Sequence, residues 1–374
     1  MSIGTARGCR GCGSGSLFRV LDLGKMPAAD DFPEFAPDAA RLGRSGLGST
    51  GDAAHPLAMD LCGDCGLAQL AEDDTVTAEP RGVEPQALRD QAAQALARVA
   101  ADGLLSGHTV REFGSPHGGS WLPLLAERGF TETAEPADVV IDCFGIMHEP
   151  DQRAAFARRA AATAPGGVLL LQFHSLRTIV TQGQWNALRH GHFAYYSLHA
   201  LTRLVAAAGM SVATAWEFDL YGGTVLVAAV HPPTAADASV RRILATESTV
   251  VEPDTVRSLQ LAADRQARAL REWLESEAAA GRRVYAYGAA SRAVALFHLA
   301  GVHRGLLAAV ADASPAKQGR RMPGTDIPII DPAELVAAQP DRVFLTLPDL
   351  LPEVRTSMPE LNGRWQVDYQ LRDA

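Results

Sequence analysis

Apolar residues recur along this chain in two periods, and the switch between them lays out its elements. Helical spacing, with apolar positions three and four apart, marks 84–101 (Leu88, Ala92, Ala95, Leu96, Val99), 152–164 and 197–208. It also marks the long region 235–280, interrupted at Pro253, with Leu259, Ala263, Gln266, Leu270, Trp273 and Leu274 on one face. Short, nearly continuous apolar runs predict buried strands at 138–146 and 168–173, separated from the helix 152–164 by a Pro165-Gly166-Gly167 turn. Two more runs, 211–218 and 223–230, predict antiparallel strands around Tyr221-Gly222-Gly223-Thr224. A strand, a small-residue turn and a helix recur at 110–128, through Gly114-Ser115, and at 283–301, through Gly288-Ala289-Ala290-Ser291. Strands alternating with helices predict an α/β protein.

One stretch follows neither period. Residues 184–197 carry Arg189, His190, His192, Phe193, Tyr195 and Tyr196 and read as a loop leading into the helix that Ser197 opens. Irregular segments carry chemistry more often than packing. Imidazoles there could serve as general bases or metal ligands; a surface loop before a capped helix is the plain alternative.

Composition narrows the class. A chain of 374 residues with 47% hydrophobic content supports two or three cores. A net charge of −9 argues against a nucleic-acid surface. Neither a long apolar run nor a signal peptide is present, so the expected protein is cytoplasmic and touches no membrane. The cysteines fall as Cys9-Arg10-Gly11-Cys12-Gly13, Cys62-Gly63-Asp64-Cys65-Gly66 and the separate Cys143. Two such knuckles offer four thiolates for a tetrahedral zinc with no position left for water, so a structural zinc on Cys9, Cys12, Cys62 and Cys65 is expected. Breaks in composition predict a zinc-binding module over 1–78, a Rossmann-like domain over 79–232, a helical bridge over 233–280 and a second α/β domain over 281–374.

Several segments together resemble the deoxysugar C-methyltransferases, which use S-adenosylmethionine (SAM) to methylate nucleotide-linked keto-sugars at carbon. The zinc knuckles, with Val20-Leu21-Asp22-Leu23-Gly24, are similar to that family's N-terminal module. Glu112-Phe113-Gly114-Ser115-Pro116-His117-Gly118 resembles its first SAM motif, which implies that Glu112, Gly114, Ser115 and Gly118 bind the cofactor. His148-Glu149-Pro150-Asp151 resembles the setting of a catalytic histidine, and His192 holds the place of the histidine that removes a proton beside the ketone. The run from Val310 to Ile329, with Lys317-Gln318-Gly319-Arg320, resembles the part of the family that helps close over the nucleotide-sugar; a solvated basic turn is the plain alternative. The small-residue turn at Gly288 precedes a helix N-terminus, a natural anion site.

Departures from the family pattern are equally specific. Arg189 stands where the family has tyrosine and Gly191 where it has glutamate, and the linker 78–84 has no tyrosine. Only Thr131 to Pro136 separate the first Rossmann helix from the strand at 138, so one strand-helix-strand unit is expected to be absent. That unit carries the acid for the SAM ribose, and Asp142 or Glu149 would have to replace it. The expected function is therefore enolisation of a keto substrate by His192, with His148, Arg189, His174 and Tyr195 around it, ending in epimerisation, isomerisation or cyclisation without SAM. SAM-dependent C-methylation of a nucleotide-linked 4-keto-deoxysugar is the first alternative, and a non-catalytic binding protein the second. In the enzymatic readings the partner is a small keto compound, a nucleotide-linked sugar in the family's case.

Overall fold

Each cysteine pair closes a tight knuckle. Gly13 and Gly66 sit at φ +79° and +76°, a region glycine enters without a Cβ clash, and their N–H groups donate to the carbonyls of Cys9 and Cys62. In this computed structural model, which describes residues 8–35, 52–75, 84, 86–115, 119–231 and 233–367, an antiparallel pair follows the first knuckle. Its strands are β1 (Leu17–Pro27) and β2 (Ala54–Cys62), with Leu17 opposite Cys62 and Pro27 opposite Ala54. The second knuckle leads into β3 (Ala68–Leu70) on the other edge of β2.

α1 (Gln86–Ala101) buries Ala92, Ala95, Leu96 and Val99, the stripe its spacing predicts. Then come β4 (Thr109–Phe113), α2 (Leu122–Ala126), β5 (Thr131–Glu132), β6 (Ala137–Cys143), α3 (Gln152–Ala162), β7 (Thr163–His174) and α4 (Leu176–Thr181). β8 (Ala194–Tyr195), α5 (Leu198–Ala207), β9 (Ser211–Phe218) and β10 (Thr224–Val230) complete this part. Its six-stranded sheet has the order β5-β4-β6-β7-β10-β9, parallel from β5 to β7 and antiparallel beyond. The turn expected at Pro165 is instead the opening of β7. Gly167 lies so close to β6 that a Cβ there would come 2.8 Å from the Asp138 carbonyl, and the register shifts at this point, so the strand bulges rather than breaks.

β8 does not join that sheet. It pairs with β3, Ala68 opposite Tyr195 and Gln69 opposite Ala194, so the zinc module takes its fourth strand from the irregular stretch singled out above.

The bridge is α6 (Ala238–Thr246), α7 (Pro253–Val256) and α8 (Ser258–Ala279); Pro253 occupies the first turn of a helix, where its missing N–H costs nothing. The second α/β part comprises β11 (Val284–Tyr287), α9 (Ser291–Leu299), β12 (Val310–Ala311), β13 (Ile329–Ile330), α10 (Pro332–Ala338), β14 (Arg342–Leu345), α11 (Leu351–Ser357) and β15 (Trp365–Val367). Its five strands are all parallel, in the order β13-β12-β11-β14-β15.

The zinc module is a wedge between the two α/β parts. Val20, Leu21, Leu23 and Met26 of β1 share one apolar core with Leu259, Ala263, Leu270 and Leu274 of α8 and Val294, Leu296 and Phe297 of α9. Cys9, Cys62, Cys65 and Leu67 pack into another with Phe156 of α3 and Leu201 and Leu204 of α5.

Candidate active site

A cavity of about 330 Å³ lies where the carboxyl ends of β4, β6 and β7 face those of β11, β12 and β14. Carboxyl ends of parallel strands are where α/β proteins build sites, because the connecting loops there converge on one crevice.

The stretch 184–197 forms one wall of this cleft, held on several sides. Trp185, fully buried, donates its indole N–H to Gln266 of α8. The His192 N–H donates to the Arg189 carbonyl at 3.3 Å with Gly191 at φ +76° between them, a turn whose third residue must be left-handed. That geometry gives a backbone reason for glycine at position 191. The Gly191 N–H donates to Asp73 Oδ2 at 2.7 Å, Phe193 N–H to the Met147 carbonyl at 2.7 Å, and Leu70 N–H to the Phe193 carbonyl at 3.3 Å. Arg10, inside the first knuckle, lies over the Phe193 ring at 4.8 Å. His190 turns away, one ring nitrogen 3.1 Å from the Pro56 carbonyl.

His192 is buried and lines the cleft. Its Nε2 accepts from Arg189 Nε at 2.8 Å, which in the neutral ring leaves the proton on Nδ1. His148 meets it edge to face at 4.4 Å between centroids, on the turn after β6. The Tyr195 hydroxyl accepts the Arg189 N–H at 3.1 Å, and burial pushes its phenol pKa well up, so it stays protonated. His174, at the end of β7, also lines the cleft, but its contacts lead elsewhere: Arg292 Nη2 is 3.5 Å from its Nδ1 and the Tyr221 ring 6.3 Å away. Burial first, and the Arg292 charge second, push His174 well below the usual imidazole range and keep it neutral. Of the three histidines read together in the sequence, two are in contact and the third keeps company with Arg292.

Three cleft residues carry no motif. Phe144 and Tyr221 both adopt left-handed backbone, φ 59° and 56°, and their rings meet at 6.0 Å. Such strain in non-glycine residues gathers at functional sites. Arg292, over the Tyr221 ring at 5.2 Å, enters from the first turn of α9. Gly145 after Phe144 and the Gly222-Gly223 pair after Tyr221 were the signals available in the sequence.

At the other end, the half-buried Glu112 accepts the Trp121 N–H at 2.7 Å and the Ser120 hydroxyl, while desolvation raises its pKa. Gly114 faces open space on the side a Cβ would occupy, and Gly114, Ser115, Glu84 and Glu112 line the cleft together. Gly118 lies outside the described residues. Two carboxylates beside an open glycine turn suit a ligand with a sulfonium and an ammonium charge, so the methionine end of SAM fits. Asp142 and Glu149 are not available to a ribose. Asp142 pairs with Arg159 at 2.7 Å and accepts the Gly145 and Ile146 N–H groups, and Glu149 pairs with Arg159 at 2.8 Å and with Arg158 at 2.6 Å.

The four cysteine sulfurs lie within 4.8 Å of one another, with Cys9 to Cys65 at 3.5 Å and Cys12 to Cys62 at 3.6 Å. Four thiolates about 2.3 Å from a zinc ion have edges of roughly 3.8 Å, so the cluster fits tetrahedral zinc. The basic turn of the second α/β part departs from expectation. Lys317 is buried, donates to the Ala289 carbonyl at 2.9 Å and lies 4.8 Å from the centre of the Phe32 ring. Arg320 donates to the Phe32 carbonyl at 2.7 Å. Both fasten the zinc module to the second α/β part, because that module is wedged against the turn. The anion site expected at the start of α9 is also taken: Asp312 accepts the Ala289 N–H and Asp30 the Ser291 hydroxyl, each at 2.7 Å.

Residues 9–79 match the family described as "Putative zinc binding domain", residues 85–215 "Methyltransferase domain" and residues 219–366 "C-methyltransferase C-terminal domain". The chain belongs to the C-methyltransferase family. The C-methyltransferase NovU of Streptomyces niveus is 26% identical over 396 residues, covering 92% of this chain and 90% of its own. Among solved structures, magnesium protoporphyrin IX methyltransferase from Synechocystis PCC 6803 with bound SAH is 16% identical over 41% of this chain and 90% of that one, TM-score 0.30. N-methyltransferase NodS from Bradyrhizobium japonicum WM9 is 12% identical over 40% and 100%, TM-score 0.28.

Membership overturns the expectation of enolisation without SAM. Two of the three matched families, over residues 85–215 and 219–366, are methyltransferase families, and the relative of 26% identity is a C-methyltransferase. Among the described residues nothing lies within 4 Å of where a Cβ on Gly114 would sit, and Glu84 and Glu112 line the same cleft. Among the described residues no helix is long and apolar enough to cross a membrane.

Proposed function

We propose that this enzyme methylates a carbon beside the ketone of a small substrate, a nucleotide-linked keto-deoxysugar being the class the family suggests. The observation that carries this reading is the place of His192: buried in the cleft, between the open Gly114 turn and the second α/β part. In this reading His192 takes the proton from the carbon, and the electron pair moves into the carbonyl to give an enolate. The nearby Arg189 favours that negative charge. Bound SAM supplies an electrophilic methyl carbon. His148, edge to face with His192, orients its ring, and Tyr195, Phe144 and Tyr221 keep water away. Glu112, Gly114 and Ser115 hold the methionine end.

The adenosine end is the distinctive part of the proposal. β5 has two residues and β6 begins at Ala137, which supports the loss of one strand-helix-strand unit. With Asp142 and Glu149 committed to Arg159, the ribose would have to meet cleft groups other than these two acids. Domain limits near 78, 232 and 280 and a zinc ion on the four cysteines belong to the same reading.

Calorimetric titration of zinc-loaded protein with SAM and with S-adenosylhomocysteine tests it, followed by assay against 4-keto-deoxysugar nucleotides. Micromolar binding and a methylated product are expected. His192→Gln should keep the binding and lose roughly 10²–10⁴-fold in turnover. Full activity in that variant would sink the base assignment, and no binding of either cofactor form would sink the function.

A further inference from the structure

Arg189 Nε lies 2.8 Å from His192 Nε2. A guanidinium keeps its protons and can only donate, so this hydrogen bond occupies a ring lone pair that a base must offer. The contact is built into one turn, since the His192 N–H also donates to the Arg189 carbonyl.

A second guanidinium enters the same cleft. Arg292 comes from α9, over the Tyr221 ring at 5.2 Å, with the neutral His174 at 3.5 Å. Burial, and then the like charge of Arg189, push its pKa down, so the two cations feel each other. Among the described residues Arg292 has no carboxylate within ion-pair distance. Asp349 is the acid that acts on it from the C-terminal side. The acids lining the cleft lie or are engaged elsewhere: Glu84 and Glu112 at the Gly114 turn, Asp312 on the Ala289 and Ser314 N–H groups, Glu353 on α11. Both guanidiniums line the one cleft that holds His192, and an oxyanion bound between them would relieve their like charge.

We infer that Arg189 and Arg292 form a subsite for an oxyanion of the substrate, a carboxylate or a phosphate close to the reacting carbon, and that its binding draws Arg189 off His192 Nε2. The base is then covered in the free enzyme and uncovered by its own substrate. This rests on the reading of His192 as the base. Arg189, acting through His192, is a positioning and specificity-determining residue.

The test is ring nitrogen NMR on zinc-loaded, full-length protein labelled at histidine, with His192 assigned from the His192→Gln spectrum. The free protein should show His192 with its proton on Nδ1 and Nε2 accepting. Titration with pyruvate and, separately, inorganic phosphate should move the Nε2 resonance saturably. A response to pyruvate alone assigns a carboxylate, and a response to phosphate alone assigns a phosphate. Arg189→Met should abolish the response, Arg189→Lys should retain it in part, and Arg292→Met should weaken the anion roughly tenfold or more. A free protein with the proton on Nε2, no response to either anion, or an Arg189→Met protein that responds like the parent would each overturn the subsite. None of these readouts involves turnover. Failure of the base assignment shows separately, as methyl transfer that survives His192→Gln.

Discussion

Two strand-turn-helix units face each other across the cleft, and they use the same device to opposite ends. In both, a carboxylate accepts an N–H near the start of the helix: Glu112 from Trp121 after β4, and Asp312 from Ala289 after β11. Among the described residues of the first turn, nothing lies within 4 Å of where a Cβ on Gly114 would sit. The second turn is filled by the chain itself. Thr346 donates to the Gly288 and Tyr287 carbonyls, Lys317 to the Ala289 carbonyl, and Asp30 accepts from Ser291. One turn is left for a ligand to approach; the other is a locked wall from which Arg292 projects. A third carboxylate, Glu247, does the same for α5, taking the Leu198 and His199 N–H groups with no ligand in view. Anchoring a helix start with an acid is thus a device this chain uses three times, and the two facing turns differ in how closely other segments pack against their glycines, Thr346 against Gly288 and no described residue against Gly114.

The contrast can be tested hardest through the metal. Structural zinc contributes about 10–16 kcal/mol in isolated fingers, so chelation should unfold the wedge. Since Asp30 and Phe32 help lock the second turn, hydrogen exchange should accelerate at Ser291–Leu299 and at Ala194–Tyr195, which pairs with β3. The Trp121 amide should keep its protection. Uniform acceleration at both turns would erase the distinction drawn above.

Glu247 gives the next largest effect. Burial raises its pKa to about 7 despite two N–H donors that pull it down. Between roughly pH 4.5 and 7 the folded state then holds a proton that the unfolded state has released, so stability from this group falls as pH rises through that window, by on the order of 3 kcal/mol. Glu247→Gln should flatten this part of the stability profile and gain on the parent at pH 8 in denaturant melts. An unchanged profile would mean that the carboxylate stays ionised on the helix start.

The smallest effects come from the two glycines. Gly288 sits at φ +94° with Thr346 Oγ1 2.6 Å from where a Cβ would lie, so Gly288→Ala should cost roughly 1–3 kcal/mol of stability. Gly114→Ala meets no described residue within 4 Å and should change stability by no more than about 0.5 kcal/mol. Its effect should appear instead in S-adenosylhomocysteine affinity, weakened roughly tenfold. Equal stability losses in the two variants would break the comparison.

Most of the architecture was legible in the sequence because it is local. Knuckle glycines, the stripe on α1, the apolar runs of β6 and β7 and the serine that caps α5 follow from backbone preference and periodicity, and Ser197 does accept the Ala200 N–H. Functional class was misjudged from one short segment. Counting residues between α2 and β6 says how long a connection is, not which groups face a ligand. Phe144, Tyr221 and Arg292 were missed because each gains meaning only from a partner distant in the chain.

By itself the sequence determined the α/β class, the two cysteine knuckles and the glycine turns, since these depend on residues within a few positions of each other. Tertiary structure decided the rest. It paired β8 with β3, buried Lys317 as a fastener and set Arg189 on His192. It also gave Asp142 and Glu149 to Arg159 and left Gly114 open while closing Gly288. Those outcomes turn on which donors and acceptors remain unbonded after packing, a balance struck in some cases within one turn and in others between segments more than a hundred residues apart.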